Sequence, residues 1–267
     1  LQESIMVPEN YKYAINELPE MKSAIHDWYK NRYNVELTYD EMICLQGSQE
    51  ALSTLFLAMC DPGDIVLVPD PYYPIFSDGP KIAGAKVEYM PLLQENNYVI
   101  QLDQIDEEIA KKAKMMIVSY PNNPTCAIAP DSFYEELIQF AKKYDIVVLH
   151  DNAYSELVFD GKVGKSFLSF EGAKEIGIEL NSFSKTYGMA GARLGVCVGN
   201  KEVIDCYNTL KSNMDYGIFL PIQYAGIEAL RHGGASIHST CQAYQDRRDA
   251  LCEAFDEVGW HIDKSPA

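Results

Sequence analysis

The stretch MMIVSYPNNPTCAIAPDSFYEELIQFAKKYDIVVLHD, residues 115–151, decides the fold. Residues 115–119 and 146–150 are short apolar runs without polar alternation, as expected of strands buried on both faces. Between them, Phe133, Leu137, Phe140 and Tyr144 recur at helical spacing, which predicts a helix over 131–144. Strand, helix and strand in succession predict a parallel pair joined by a crossover. Working outward, 65–69, 86–90, 178–181 and 194–198 read as further strands, and 42–45 is another short apolar run. Asp61-Pro62-Gly63-Asp64 is a tight turn, since Pro fixes φ and Gly accepts positive φ. Helices are predicted over 20–33, with Met21, Ala24, Ile25 and Trp28 on one face, and over 48–59. The alternation gives an α/β fold, a mainly parallel sheet between helices. Residues 235–258 read as one long polar helix leaving a main domain that spans 1–234, so 235–267 is expected to begin a second, smaller domain.

The 267 residues hold 22 Lys and Arg against 39 Asp and Glu, a net charge of −17. So acidic a chain cannot present a broad basic face to a phosphate backbone, which argues against nucleic acid as a partner. No apolar run approaches the roughly 20 residues that span a bilayer. Seven Cys is an odd number without a Cys-x-x-Cys pair, which points to free thiols in a reducing cytoplasm. The five His show no metal-ligand spacing, and no metal is expected.

In doubly wound sheets ligands sit at the carboxyl ends of the strands. After 115–119 comes Asn123, in Asn122-Asn123-Pro124-Thr125. After 146–150 come Asp151 and Tyr154. After 178–181 come Ser182, Ser184 and Lys185. After 42–45 come Gly47, Ser48 and Gln49, opening a helix. Each alone is weak: an Asp after a strand is commonly a helix cap, and a Lys in a Ser-rich loop is commonly solvated. Together they fit one chemistry. Lys185 is a candidate Schiff-base nucleophile. Asp151 could hold a protonated ring nitrogen and keep the ring an electron sink. Asn123 and Tyr154 could bond a phenolate oxygen. The amides of Gly47-Ser48-Gln49 at a helix start suit a phosphate, which Arg193, eight residues after Lys185, could grip bidentately. Tyr73, in Pro71-Tyr72-Tyr73-Pro74, could stack on the ring. His150 is either a support for Asp151 or a packed side chain.

The run NSFSKTYGMAGARLG, 181–195, resembles the cofactor-lysine signature of the class I/II aminotransferases, pyridoxal-phosphate enzymes of fold type I. Asn123-Pro124-Thr125, Asp151-x-Ala153-Tyr154 and Gly47-Ser48-Gln49-Glu50-Ala51-Leu52 resemble the family's other motifs, in the same order along almost the whole chain. The resemblance implies a large domain that binds pyridoxal 5'-phosphate. Lys185 would carry the cofactor and shuttle a proton, Asp151 would bind the ring nitrogen, and Asn123 and Tyr154 would bind the ring oxygen. Ser48, Gln49, Ser182, Ser184 and Arg193 would hold the phosphate, and Tyr73 would stack. Tyr13, in Pro8-Glu9-Asn10-Tyr11-Lys12-Tyr13, matches a tyrosine that reaches the phosphate of a partner subunit, with Tyr11 a nearby rival. A homodimer acting on an L-amino acid and a 2-oxo acid by ping-pong chemistry is implied. Residues 219–223, preceded by Asp215-Tyr216-Gly217, resemble the diaminopimelate-aminotransferase branch.

Three departures set further expectations. Cys126 stands where the family usually has Gly, which should change the loop geometry. Glu17 stands where many members carry Gly, which should alter a substrate-side loop. None of Arg32, Arg231, Arg247 or Arg248 lies in a motif matching the family's carboxylate-binding arginine. By this register, 1–267 is expected to be the middle of a chain of about 390 residues. Other readings share parts of this pattern. A carbon–sulfur β-lyase shares these motifs, and a cofactor-sensing domain of a transcription regulator keeps the same site. Ser182-x-x-Lys185 formally fits a Ser/Lys hydrolase, but no Lys-Thr-Gly or Ser-Asp-Asn segment accompanies it. Gly188-x-x-Gly191-x-x-x-Gly195 has the wrong spacing for a dinucleotide loop and precedes a strand.

Overall fold

The computed structural model describes residues 1–267. Seven strands form one sheet: β1 Met42–Leu45, β2 Ile65–Asp70, β3 Lys86–Pro91, β4 Ala113–Ser119, β5 Val147–Asp151, β6 Gly177–Ser182 and β7 Gly195–Gly199. Helices of eight residues or more are α1 Pro19–Tyr33, α2 Gln49–Met59, α3 Ile75–Ile82, α4 Asp131–Tyr144, α5 Lys201–Lys211, α6 Leu220–His232 and α7 Gly234–Glu257. The strand order is β1-β7-β6-β5-β4-β2-β3. β3, β2, β4, β5 and β6 run parallel. β7 is antiparallel to both of its neighbours.

The predicted strands and helices all form, with ends shifted by a residue or two. Strand β4 shows why its sequence carries no polar alternation. Met115 and Ile117 enter the layer made with α2, α3 and α5, whereas Met116 and Val118 enter the layer made with α1 and α4. Both faces are dry, so successive residues are all apolar. On α1, Tyr29 is fully buried beside Met21, Ala24 and Ile25, while the predicted Trp28 is only half-buried. Similarly, α4 buries Phe133 and Leu137 together with Tyr134, Ile138 and Ala141, and Phe140 and Tyr144 lie at the edge of that face. α7 buries only Cys252, in keeping with its polar sequence. No helix is long and apolar enough to cross a membrane.

The reversal at β7 positions the site. A parallel return from β6 would need a crossover, usually helical. Residues 183–194 supply only one helical turn and one 3-10 turn, so the chain doubles back beside β6, with Ser182 opposite Gly195. β1 reverses again, with Leu45 opposite Gly195. The carboxyl ends of β1, β4, β5 and β6 and the amino end of β7 therefore meet at one edge of the sheet.

Candidate active site

At that edge lies a cavity of about 260 Å³. It is lined by Ser48, Gln49, Tyr73, Asn123, Asp151, Tyr154, Ser182, Ser184, Lys185 and Arg193. Ten residues given a role from the sequence thus converge, joined by Leu52, Ala153 and Ala190, which stand in the same motifs without an assigned role. Gly47 lies directly behind Arg193. At its φ of +76° a side chain would be strained, and a Cβ would stand 2.5 Å from Arg193 Nη2, so the guanidinium would have to shift. Arg193 is held by two carbonyls: Nη1 donates to Ala190 O at 3.0 Å and Nη2 to Gln46 O at 3.4 Å.

Lys185 sits on the single helical turn Phe183–Thr186, where the Ser182 hydroxyl accepts a hydrogen bond from Ser184 N at 3.2 Å. The side chain is exposed to the cavity, and its Nζ lies 5.6 Å from the centre of the Tyr154 ring. Tyr73 donates from its hydroxyl to Gln49 Oε1 at 2.7 Å, which fixes the ring over the cavity mouth. Burial raises the Tyr154 phenol above its ordinary range, with the Asp151 charge adding to the rise and Asn123 opposing it.

Asp151 is buried, and its Oδ1 has no hydrogen-bond partner. Burial pushes the carboxyl up to about 6, while His150 and the Ala153 amide pull it down and Glu179 adds to the rise. A buried acceptor without a donor is costly, so this atom marks a place where the chain leaves a bond for something else to make. His150 itself points to the other side of the sheet. It is wholly buried, and Nδ1 lies 3.3 Å from Glu179 Oε2, an ion-pair distance without hydrogen-bond geometry. His150 packs against Tyr134 and Glu179 and makes no hydrogen bond to Asp151. Glu179 is a functional-looking residue that the sequence reading passed over. Its carboxylate accepts from Tyr29 Oη, Ser166 Oγ and Phe167 N. A carboxylate inside the apolar run 178–181 was the available signal.

This arrangement fits pyridoxal phosphate. An amine, an unpartnered buried carboxylate, a phenol with an amide, and an arginine packed on Gly47 lie around one cavity. Asp151 Oδ1 would meet the ring nitrogen. Gly47, Ser48 and Arg193 would meet the phosphate at the start of α2.

Tyr13, expected to serve the phosphate of a partner subunit, is 76% exposed and lies outside this cavity, edge-on to Tyr216 with ring centres 5.1 Å apart. Its rival Tyr11 is engaged elsewhere, donating to Ile5 O at 3.0 Å. Glu17 does not turn toward the cavity; its Oε1 accepts from Cys44 N at 2.9 Å, satisfying an amide of the edge strand β1. Cys126 adopts φ +58°, the left-handed conformation that favours glycine, so the side chain is accommodated at a strain of about 1 kcal/mol. No arginine other than Arg193 lines the cavity. Arg32 is paired with Glu156 and Arg248 with Asp160 and Asp249.

Comparison with known proteins agrees with this geometry. Residues 7–267 match the family model described as aminotransferase class I and II. The chain is 48% identical over 262 residues to the LL-diaminopimelate aminotransferase of Halothermothrix orenii, covering 97% of this chain and 67% of that one. It is 44% identical to the enzyme of the same name from Moorella thermoacetica, with the same coverage. Among solved structures, substrate-bound BacF from Bacillus subtilis superposes with a TM-score of 0.95 at 37% identity, covering 99% of this chain and 68% of that one. A Thermus thermophilus aspartate aminotransferase mutant gives 0.91 at 28% identity, covering 99% and 73%. The chain thus spans about two thirds of the length of the curated relatives it matches. These names favour amino-group transfer over the lyase and sensor readings. Motif order, strand-end convergence and family match agree, and the chain belongs to the class I and II aminotransferases.

Proposed function

We propose that this aminotransferase works with pyridoxal 5'-phosphate and exchanges the amino group of an amino dicarboxylate of the diaminopimelate type with a 2-oxo acid. The observation that carries the cofactor reading is the unpartnered Oδ1 of buried Asp151 in a cavity edged by Lys185. The names of the relatives at 40–48% identity support the substrate class.

When bound, pyridoxal phosphate supplies a cationic ring that accepts the electron pair released as a substrate C–H bond breaks. The residues divide the remaining work. Asp151, with its carboxyl near 6, is ionised at neutral pH and holds a proton on the ring nitrogen. Tyr154 and Asn123 orient the ring oxygen. Arg193, with the amides at the start of α2, would hold the phosphate, and Tyr73 would stack on the ring. Lys185 is the one lysine lining the cavity, so its Nζ is the group able to take a proton from a substrate carbon and return it.

We further propose a homodimer in the cytoplasm, in which Tyr13 serves the partner's phosphate. The exposure of Tyr13, Met6, Ile15 and Tyr216 and the seven unpaired cysteines support that reading. The division at 234/235 into a main and a second domain is proposed on the polarity of α7. The test is an amino-donor panel with pyridoxal phosphate present. LL-diaminopimelate should be among the best donors with a 2-oxo acid acceptor. Transfer confined to monocarboxylic donors would overturn the substrate class, and release of pyruvate from cystathionine, with loss of its sulfur-linked group and no oxo acid present, would restore the lyase.

A further inference from the structure

The amine of Lys211, at the last position of α5, is held between two carboxylates. Nζ donates to Glu50 Oε1 at 2.6 Å and to Asp215 Oδ2 at 2.7 Å, and the side chain is only 5% exposed. A lysine is seldom buried unless paired, so what it holds matters.

On one side it holds the cofactor turn. The other oxygen of Glu50, Oε2, accepts from Gln46 N at 2.5 Å, and Gln46 O accepts from Arg193 Nη2 at 3.4 Å. Gln46 is therefore clamped through its amide by Glu50 and through its carbonyl by Arg193. The next residue is Gly47, packed against the guanidinium. The position of the turn relative to Arg193 thus depends on where Glu50 points, and Lys211 fixes that.

On the other side it holds the segment next to Tyr13. Asp215 Oδ1 accepts from Gly217 N at 2.8 Å. Gly217, at φ +86°, packs so tightly on the N-terminal segment that a Cβ would lie 2.0 Å from Ala14 O. Between Asp215 and Gly217 is Tyr216, edge-on to Tyr13.

We propose that Lys211 is a positioning residue which locks the phosphate-binding turn to the Asp215–Gly217 loop that backs Tyr13. Without the ammonium, Glu50 and Asp215 face each other as uncompensated carboxylates. Glu50 then swings away, Gln46 N loses its acceptor, and the turn no longer sits square to Arg193. This inference rests on the turn being the cofactor's phosphate cradle, and its test separates the two ideas.

Pyridoxal phosphate and inorganic phosphate are titrated separately into cofactor-free enzyme, wild type and Lys211→Met, with amide hydrogen exchange followed at Gln46. Lys211→Met should lose tenfold or more in affinity for both probes, and Gln46 exchange should accelerate. Lys201→Met, which breaks the surface pairs to Asp40 and Asp205 on the same helix, should change neither. Should Lys211→Met not fold, Glu50→Ala leaves Lys211 paired with Asp215 and should show the same loss. Wild-type protein that binds neither probe overturns the cradle reading. Wild-type binding matched within twofold by the Lys211 or Glu50 variant overturns the positioning role, as does lost affinity with Gln46 exchange unchanged.

Discussion

Gly47 and Arg193 are in direct contact: a Cβ built on residue 47 would stand 2.5 Å from Arg193 Nη2. Gly47→Ala therefore meets two penalties, a left-handed φ of +76° and displacement of the arginine. The backbone strain alone is about 1–2 kcal/mol. The variant should melt lower than wild type and bind pyridoxal phosphate at least tenfold more weakly. Both are read from a thermal scan and a cofactor titration, and equal affinity would refute the contact as a binding determinant.

Asp151 leads to a prediction about stability. Its folded carboxyl is raised from 3.8 to about 6, so the unfolded chain gives up its proton first as pH rises. The cost of burying the charge is absent below about 3.8 and complete above about 6, amounting to about 3 kcal/mol at most by the usual conversion. Cofactor-free Asp151→Asn should therefore be more stable than cofactor-free wild type at pH 8 and lose that advantage by pH 4. Denaturant melts at the two pH values decide it.

The same substitution should cripple the enzyme. Without the carboxylate, nothing in the cavity holds a proton on the ring nitrogen, and a loss of about 10²–10³ in kcat is expected for removal of one such electrostatic group. Asp151→Ala should still bind cofactor weakly. Wild-type turnover in either variant removes the electron-sink role.

Lys185→Ala should bind pyridoxal phosphate through Arg193 and the α2 amides but without a covalent link. The near-visible band of the lysine-bound cofactor should be missing, and exogenous methylamine should restore part of it. A wild-type spectrum in this variant would place the covalent attachment elsewhere.

Much of this was legible in the sequence for identifiable reasons. Strands such as β4 and β5 are buried on both faces and so announce themselves as unbroken apolar runs. Most of the cavity residues follow the carboxyl ends of such runs, so strand ends located them, whereas Arg193 precedes β7 and was placed by its spacing from Lys185. What was not legible depends on partners distant in sequence. The antiparallel turn into β7 has no local signal beyond a connection too irregular for a crossover helix. Lys211 and Glu50 are separated by 161 positions, and neither carries a motif that names the other. Glu17 looked like an intrusion into a substrate loop, whereas its carboxylate completes the hydrogen bonding of an edge strand. Tyr29 and Trp28 are neighbours on a helix, and only tertiary packing decides which ring is swallowed.

The doubling back of the chain between β6 and β7 has a kinetic consequence. Lys185 and Arg193 belong to one connection, framed by Ser182 opposite Gly195. Any opening that frays this ribbon moves Lys185 and withdraws Arg193 in a single event, because neither belongs to an independently folded element. Release of the phosphate end should therefore track the local opening rate of residues 182–195, while a ligand joined covalently to Lys185 stays attached until that bond is hydrolysed.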